Sequence, residues 1–469
     1  MVLLLPKKRR AFFKIKTMEL HNIKRVYLIG IGGIGMSGLA RYFHHLGCVV
    51  CGYDKTSTDL TNDLHNEGIQ TIFDDRSDWI PMSFQQLSND TLIIYTPAVP
   101  KDSVILNYFK NKGFELFKRS QVLGLISKSS FTIAVAGTHG KTTTSTMVAH
   151  ILKDSGNDCS AFLGGISSNY QSNVLYGKSN VMVVEADEYD RSFLTLFPDV
   201  AIITSMDADH LDIYGDHAHL TESFQLFASQ IKSGGTLVHK KGLPLDTGYT
   251  YALSDNTADA HAANVRIENG DFYFDFINAD VTIPDIRMGI AGTHNVENAV
   301  AAIEAVLRLD INADAIKNAL GSFKGVKRRF EYIVKTPQHI YIDDYAHHPE
   351  ELRACISSVK KLYPNKKLTT IFQPHLYTRT RDFAEGFAEV LDMVDELIML
   401  DIYPARELPI EGVNSEMLLN RMELQNKRKL SKQQALDAVA NERPELLLTV
   451  GAGDIDTLVH SLKEILSNG

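Results

Sequence analysis

The sequence predicts an α/β protein with parallel sheets, divided into three domains. Apolar segments of strand length alternate with helical segments along most of the chain, as in sheets whose strands are joined by helical crossovers. Glycine-rich turns follow two of these strands, in YLIGIGGIG and in IAVAGTHGKT, and such turns open the helices of nucleotide-binding βαβ units. A chain of 469 residues is too long for one hydrophobic core. We therefore predict domains at residues 19–123, 124–327 and 328–469, of which the first and third are Rossmann-like.

Composition excludes several classes of function. Hydrophobic residues make up 44% of the chain and charged residues 22%, as in a soluble globular protein. A net charge of -9 argues against a sequence-independent nucleic-acid binder, which needs many cations facing phosphates. No segment approaches the roughly 20 apolar residues of a membrane helix, so no membrane partner is expected. The four cysteines are too few and too scattered for a disulfide framework, which favours a reducing cytoplasm. Cys48 and Cys51 form a CxxC pair inside an apolar run, so buried strand positions are predicted for both.

The first 18 residues are predicted to be a disordered extension. Their apolar run MVLLL precedes the basic cluster KKRR, whereas a signal peptide has the opposite order. The first strand is expected within MELHNIKRVYLIG, which begins at Met18.

The first glycine turn resembles a dinucleotide-binding fingerprint. Gly30, Gly32 and Gly35 match G-x-G-x-x-G, and Gly33 adds backbone freedom. An acid, Asp54, stands at the end of the next strand. The turn therefore predicts a diphosphate bound at a helix N-terminus. A nicotinamide-dependent oxidoreductase, in which Asp54 would bind an adenosine ribose, is one alternative.

The second glycine turn gives a stronger signal. GTHGKTTT has Lys141 after Gly140 and before Thr142 and Thr143, as in a phosphate loop, although Val135 stands where the first glycine is expected and Gly137 follows two residues later. Backbone amides of such a loop hold phosphates, the lysine offsets the β/γ charge and the threonine hydroxyl can ligate Mg²⁺. The central domain is therefore predicted to be an ATPase domain.

Acidic segments follow two later strands, where an α/β sheet presents functional groups. Glu185 ends the apolar strand VMVVE, and His210 lies just beyond AIITSM. Solvated loops are the ordinary explanation of such clusters, but their place beside a phosphate loop favours a metal site. Mg²⁺ prefers oxygen ligands, so Glu185 is the natural ligand and a histidine would be less usual.

Three further segments carry polar clusters or turns. VRIENGDFYFDFI predicts a hairpin at residues 269–270, and GTHNVENA opens a helix in which Asn295 could equally be a cap. GVKRRFEY precedes the third domain.

In that domain, YIDDYAHHP holds the densest titratable cluster in the chain. Its two adjacent histidines lack the i, i+4 spacing of the metal ligands in zincins. A role in positioning the substrate is therefore favoured over a di-histidine metal site.

The motifs GxGGxGMSGLA, AGTHGKTTT, EADE, DHLD, GTHNVENA, RRFE, DDYAHHP, FQPHLYTR and VGAGDI occur in this order between residues 24 and 455. In this order they resemble the Mur ligase family. The resemblance implies an N-terminal domain for a UDP-linked substrate, a central ATPase and a C-terminal domain for an amino acid. It further implies that ATP converts the lactyl carboxylate of UDP-N-acetylmuramate into an acyl phosphate, which L-alanine then attacks, in peptidoglycan precursor synthesis.

The same resemblance implies roles for individual residues at the matching positions of this chain. UDP-substrate binding is implied for Gly30, Gly32, Gly33, Ile34, Gly35 and Asp54. ATP binding is implied for Gly137, Thr138, His139, Gly140, Lys141, Thr142, Thr143, His294, Asn295 and Arg329. Two Mg²⁺ ions are implied, one on Thr142 and Glu185 and a second on His210. Catalytic roles are implied for Lys141, Glu185, His210, Arg329, Asp344, Tyr345, His347 and Arg379, and amino-acid binding for Tyr345, His375 and Arg379.

One position departs from the family pattern. Leu376 stands where many members have an arginine, so Arg379 is expected to hold the alanine carboxylate alone. A related ligase that recycles murein tripeptide and a nucleotide-controlled regulatory module are the remaining alternatives. The sequence leaves the oligomeric state open between monomer and dimer.

Overall fold

The structure is a computed structural model that describes residues 20–207, 214, 216–268, 270–405 and 407–467. The predicted extension at residues 1–18 and the predicted metal ligand His210 lie outside the described residues. The chain forms two compact units that divide between Ser129 and Ser130.

The N-terminal unit is built on a five-stranded parallel sheet with the strand order β3-β2-β1-β4-β5. Its strands are β1 Arg25–Ile29, β2 Val49–Tyr53, β3 Gln70–Ile72, β4 Thr91–Tyr95 and β5 Leu116–Lys118. Its helices are α1 Ile34–His45, α2 Asp59–Asn66, α3 Val104–Asn111 and α4 Arg119–Ser129, with short 3-10 turns at Leu20–Asn22, Ser77–Trp79 and Met82–Phe84. Cys48 and Cys51 are both buried, as predicted, but only Cys51 lies in a strand, because β2 begins at Val49 and Cys48 precedes it.

Local sequence explains where the helices of this unit begin. Thr58 caps α2 in a reciprocal capping box with Thr61, and the Ser103 hydroxyl accepts the Leu106 N–H at the start of α3. Helix α1 follows the glycine turn without a side-chain cap, so its first N–H groups are left to other partners.

The second unit holds a ten-stranded sheet in the order β15-β14-β13-β12-β11-β10-β6-β9-β7-β8. The strands are β6 Phe131–Ala136, β7 Ser160–Ser167, β8 Ser172–Leu175, β9 Val181–Glu185, β10 Val200–Ile203, β11 Thr236–Lys240, β12 Tyr249–Ala252, β13 Ala260–Glu268, β14 Asp271–Asn278 and β15 Thr282–Arg287. The middle of the sheet is parallel, and both edges are antiparallel. Strands β13 and β14 pair antiparallel with Glu268 opposite Asp271, as the predicted hairpin requires, and Asn269 of the predicted turn lies outside the described residues.

The helices beside this sheet are α5 Lys141–Asp154, α6 His217–Ala228, α7 Thr293–Val306 and α8 Ala313–Ser322, with 3-10 turns at Tyr189–Thr195 and Leu307–Leu309. Residues 142 to 152 of α5 are all buried. A helix covered on every side is held by its surroundings more than by its own propensity. The N-terminus of α5, which carries the phosphate loop, is thereby fixed.

The same unit also contains a six-stranded sheet in the order β16-β17-β21-β18-β19-β20, parallel except for β16. Its strands are β16 Glu331–Lys335, β17 Ile340–Asp344, β18 Leu368–Phe372, β19 Glu396–Met399, β20 Lys427–Lys429 and β21 Leu446–Val450. Its helices are α9 Pro349–Leu362, α10 Tyr377–Asp382, α11 Ala384–Leu391, α12 Ser415–Leu419, α13 Lys432–Glu442 and α14 Val459–Ser467, with a 3-10 turn at Asp454–Leu458. Asp344 and Phe372 both pair with Val450, so three strands end together at one edge.

The three predominantly parallel sheets confirm the predicted α/β class. The boundary predicted after residue 123 falls inside α4, and the first compact unit runs to Ser129. The boundary predicted at residue 327 lies inside the second compact unit. The largest apolar cluster of that unit contains side chains from both of its sheets. Within the part of the chain that the structure describes, no helix is long and apolar enough to cross a membrane.

Candidate active site

The phosphate loop joins β6 to α5, and its glycines are required by its backbone. Gly137 has φ 137° and Gly140 has φ 80°, in the region that residues with a Cβ rarely adopt. A Cβ on Gly137 would also lie 2.1 Å from the Thr204 hydroxyl oxygen. Any other residue at position 137 would therefore displace the end of β10 from the loop.

Two hydroxyl residues that the sequence analysis did not single out hold the loop from β10. The His139 N–H donates to Ser205 Oγ at 2.7 Å, and the Thr138 and Ser205 hydroxyls are 2.9 Å apart. The Thr204 hydroxyl donates to the His139 carbonyl. The segment AIITSM carries these residues at its strand end, which is the position that could have identified them.

Lys141 lies inside the loop rather than in solvent. Its ammonium donates to the Gly137 carbonyl at 2.7 Å and to Glu188 Oε1 at 2.9 Å. Burial disfavours the charged ammonium, but Glu188, Asp187 and Glu185 outweigh that penalty and raise the pKa of Lys141. The lysine is therefore a preformed positive charge. Glu188, its direct partner, lies in the EADE motif but was assigned no role from the sequence.

Glu185 offers oxygen ligands beside this charge. Its Oε2 accepts the Gly164 N–H at 2.9 Å, and a Cβ on Gly164 would lie 2.2 Å from Oε1. Burial raises the pKa of Glu185, while Lys141 and a hydrogen bond from the Thr142 side chain oppose that rise. A buried carboxylate next to a threonine hydroxyl is a donor set that suits Mg²⁺. No group of three or more His, Cys, Asp or Glu side chains among the described residues is arranged to hold a metal, and His210 is not one of those residues.

A cavity of about 300 Å³ opens beside the loop. His139, Gly140 and Thr143 line it from the loop, His294 and Asn295 from α7, and Arg329, Asp344 and Glu351 from the C-terminal region. Helix α7 is capped by Gly292, and the Asn295 amide donates to the Ala291 carbonyl at 2.6 Å, so Asn295 is not the cap. The structure thus brings the predicted nucleoside-contacting residues and the C-terminal cluster to one cavity.

Buried Asp344 and partly exposed Arg329 form the centre of the C-terminal side. Asp344 accepts the Phe330 N–H at 2.6 Å and the Ala346 N–H at 2.7 Å. Burial raises its pKa to about 6, although Arg329 and these two N–H groups favour the carboxylate. The Arg329 guanidinium lies 5.1 Å from the Tyr345 ring centroid. A cation–π contact with Tyr345 therefore orients the arginine.

His347, His375 and Arg379 meet at the ends of β17 and β18. The ring centroids of the two histidines are 5.9 Å apart, and Arg379 Nη1 lies 3.4 Å from His375 Nδ1. Burial lowers the pKa of each histidine to about 4, so both are neutral at pH 7. Arg379 is the charged member of the three, because a guanidinium stays protonated in proteins. The neighbouring Leu376 has φ 68°, which is strained for a residue with a branched side chain.

The first glycine turn lies in the N-terminal unit. Gly30 has φ 87°, and the Gly32 N–H donates to Asp54 Oδ2 at 2.7 Å. Asp54 therefore braces the turn itself. A Cβ on Gly35 would lie 2.8 Å from a guanidinium nitrogen of Arg119, so this turn has a cation beside it that the sequence analysis missed. Arg119 begins α4, and the sequence carries no local signal that links it to a turn so far along the chain.

Comparison with known domain patterns covers most of the chain in three consecutive segments. The catalytic domain of the Mur ligase family matches residues 25–130, the Mur ligase middle domain matches residues 135–306, and the Mur ligase glutamate ligase domain matches residues 328–453.

Individual proteins agree with these matches. A UDP-N-acetylmuramate–L-alanine ligase of Flavobacterium psychrophilum is 48% identical over 449 residues, which cover 96% of this chain and 99% of that protein. The enzyme of the same name from Parabacteroides distasonis is 49% identical over 457 residues, covering 96% and 98%. The crystal structure of the UDP-N-acetylmuramate-alanine ligase of Thermotoga maritima is 26% identical, covers 95% of this chain and 98% of its own, and superposes with a TM-score of 0.78. From the three domain matches and the extent of these similarities, the chain belongs to the Mur ligase family.

Proposed function

We propose that this protein is an ATP-dependent ligase that joins L-alanine to the lactyl carboxylate of UDP-N-acetylmuramate in peptidoglycan precursor synthesis. The observation that carries the proposal is a cavity lined both by the phosphate loop and by Arg329 and buried Asp344 of the C-terminal region. Such a cavity can hold a phosphoryl donor next to the groups that stabilise its transfer. The UDP-N-acetylmuramate–L-alanine ligases of Flavobacterium psychrophilum and Parabacteroides distasonis match this chain over 99% and 98% of their own length.

The first chemical step needs charge neutralisation. The lactyl carboxylate attacks the γ-phosphorus of ATP, an acyl phosphate forms, and the bond to ADP breaks. Both reactants are anions, so Lys141 and Arg329 lower the repulsion between them as they approach. Thr142 and Glu185 would hold one Mg²⁺, and His210 would hold a second. These ions would supply further positive charge at the transferring phosphoryl group.

In the second step the neutral amine of L-alanine attacks the acyl carbon, the amide bond forms, phosphate leaves and the amine loses a proton. Arg379 binds the alanine carboxylate in bidentate fashion. His347 and His375 border the same place, and because both are neutral they can orient the amino acid without competing for its carboxylate.

The UDP part of the substrate is assigned to the glycine turn of the N-terminal unit. Backbone N–H groups of Gly33, Ile34 and Gly35 open α1, and the adjacent Arg119 adds a positive charge suited to a diphosphate. The Asp54 carboxylate accepts a hydrogen bond from the Gly32 N–H. Asp54 therefore stabilises the turn, in addition to any contact that it makes with the ligand. Tight binding of NADH together with no response to UDP-N-acetylmuramate would contradict this assignment.

The remaining partners follow from the same proposal. The substrates are small molecules, and neither a nucleic acid nor a membrane is required. We place the reaction in the cytoplasm, where four buried free thiols stay reduced. The oligomeric state is left as monomer or dimer.

Phosphate release by the purified protein tests the function. The assay supplies ATP, Mg²⁺ and UDP-N-acetylmuramate with L-alanine, glycine, L-serine or murein tripeptide in turn. We expect fastest release with L-alanine, weaker release with glycine and L-serine, and none without the UDP sugar, because a small pocket excludes larger groups. Faster release with tripeptide than with L-alanine would instead assign the protein to murein recycling.

Arg379→Lys is expected to raise the Michaelis constant for L-alanine far more than that for ATP. Lysine keeps the charge but loses the planar fork that matches a carboxylate. The alanine methyl contributes only about 1 kcal/mol of binding free energy, so the carboxylate contact must supply much of the rest. Steady-state kinetics with each substrate varied in turn measure both constants.

Arg381→Lys is the matched control, because Arg381 lies on the same short helix but is exposed and paired with Asp382. Its two Michaelis constants should stay close to those of the unchanged protein. If Arg379→Lys raised the ATP constant and left the alanine constant unchanged, Arg379 would belong to the phosphate site, and His375 would be the next candidate for the alanine carboxylate.

A further inference from the structure

Glu351 is a buried acid of the cavity that none of the sequence motifs singled out. It lies in the first turn of α9, directly after the DDYAHHP segment, and its side chain is 12% exposed. Its two carboxylate oxygens face different parts of the second unit, and every partner belongs to the candidate active site.

One oxygen faces the nucleotide side. Glu351 Oε1 lies 3.3 Å from Nδ1 of His139, in the phosphate loop, and 3.6 Å from Nη1 of Arg329. A carboxylate can only accept, so His139 Nδ1 is the donor of that hydrogen bond. The contact joins residues 212 positions apart in the chain, from the central and C-terminal sheets.

The other oxygen faces the amino-acid side. Glu351 Oε2 accepts the His347 backbone N–H at 3.0 Å and lies 3.3 Å from His347 Nδ1. The Tyr345 carbonyl, 2.9 Å away, is a second acceptor for the same Nδ1. Two acceptors at Nδ1 place the proton of a neutral imidazole there, which leaves Nε2 as an acceptor. His347 can therefore accept a hydrogen bond from an amine but cannot donate one through Nε2.

The charge state of Glu351 agrees with this geometry. Burial alone would raise its pKa, but His347, His139 and Arg329 together hold the pKa of Glu351 well below its usual value. The carboxylate is therefore ionised at neutral pH, accepts hydrogen bonds from His139 and His347, and forms an ion pair with Arg329.

We propose that Glu351 is a positioning residue that aligns the two halves of the reaction, by holding His139 of the phosphate loop with one oxygen and setting the orientation and tautomer of His347 with the other. In this role His347 Nε2 accepts a hydrogen bond from an N–H of the incoming amine. His139 meanwhile holds the phosphate loop, and with it the phosphates, in a fixed position relative to that amine. This inference rests on the proposed ligase function and adds to it the residue that connects the ATP and amino-acid sites.

The test is a double-mutant cycle on turnover, with Glu351→Gln, His139→Asn and the double variant. Glutamine has nearly the same shape but lacks the charge and places an amide N–H₂ against one of the former donors. We expect Glu351→Gln to lower kcat by about 10- to 100-fold, the range found when a group that orients an active-site histidine is removed. The Michaelis constant for ATP should change by less than about threefold, because Lys141 and the loop amides remain.

In the His139→Asn background, the loss of kcat caused by Glu351→Gln should be smaller by about threefold or more, because the effects of substitutions at interacting residues are not additive. A role limited to folding would give additive losses. Glu389→Gln, an exposed glutamate on α11, is the matched control and should leave kcat unchanged. If glutamine at position 351 prevents folding, as judged by thermal unfolding, Glu351→Asp takes its place in the same cycle.

Additive losses, or a Glu351→Gln variant with unchanged kcat, would overturn the inference. Either result would leave the proposed function intact, provided that the unchanged protein releases phosphate only when both UDP-N-acetylmuramate and L-alanine are present. Absence of that release would instead contradict the function itself, so the two failures are distinguishable.

Discussion

Lys141→Ala is expected to lower the turnover number by about 10³-fold or more, because a preorganised charge at the transferring phosphoryl group is lost. In this protein the ammonium is held by the Gly137 carbonyl and by Glu188 before any nucleotide binds. Little reorganisation is therefore needed when ATP enters. Steady-state kinetics at saturating ATP measure the effect.

The same substitution should also lower the thermal unfolding temperature. Glu188 is 1% exposed, and without Lys141 its buried carboxylate loses this ion pair. The variant Lys141→Met with Glu188→Gln removes both charges, so we expect it to regain stability while remaining inactive. Lys317→Ala, a partly exposed lysine on α8, serves as the control with unchanged turnover. Recovery of activity in the double variant would show that Lys141 acts only by stabilising the fold.

Glu185→Gln is expected to reduce turnover by a similar factor of about 10³. The glutamine carbonyl can still accept the Gly164 N–H, so the end of β9 should keep its geometry. The loss then reflects the missing negative charge, and the Mg²⁺ concentration needed for half-maximal activity should rise. Titration of activity with Mg²⁺ measures this shift.

Glu222→Gln on α6 is the control for that titration, because Glu222 is exposed. Its Mg²⁺ dependence should match that of the unchanged protein. A Glu185→Gln variant with near-normal turnover and unchanged Mg²⁺ dependence would remove Glu185 from the metal site.

Local motifs made much of the fold and the phosphate loop predictable. A strand, a glycine turn and a helix are adjacent in sequence, so GTHGKTTT placed Lys141 and Thr142 correctly at the start of α5. The hairpin of β13 and β14 was predictable for the same reason. That β13 and β14 continue the central sheet beyond β12 was not predictable, because sheet order depends on contacts between distant segments.

Residues that act through distant contacts escaped the sequence analysis. Ser205 holds the phosphate loop from 66 positions away, and Glu351 meets His139 from 212 positions away. The strand-end position of Ser205 is the one local signal it carries, and Glu351 has no local pattern that distinguishes it from an ordinary acid in the first turn of a helix. The boundary predicted after residue 123 missed the end of α4 for another reason. The prediction ended the domain with its last short strands, whereas α4 continues beyond them to Ser129.

Transfer of a labelled oxygen tests the central claim most directly. UDP-N-acetylmuramate carrying a heavy oxygen isotope in its lactyl carboxylate is incubated with the protein, ATP, Mg²⁺ and L-alanine, and the phosphate and nucleotide products are analysed by mass spectrometry. If the carboxylate attacks the γ-phosphorus, the released phosphate carries one labelled oxygen and the UDP product gains the mass of an alanyl group. Unlabelled phosphate, or label found in AMP, would contradict an acyl-phosphate ligase built on this phosphate loop.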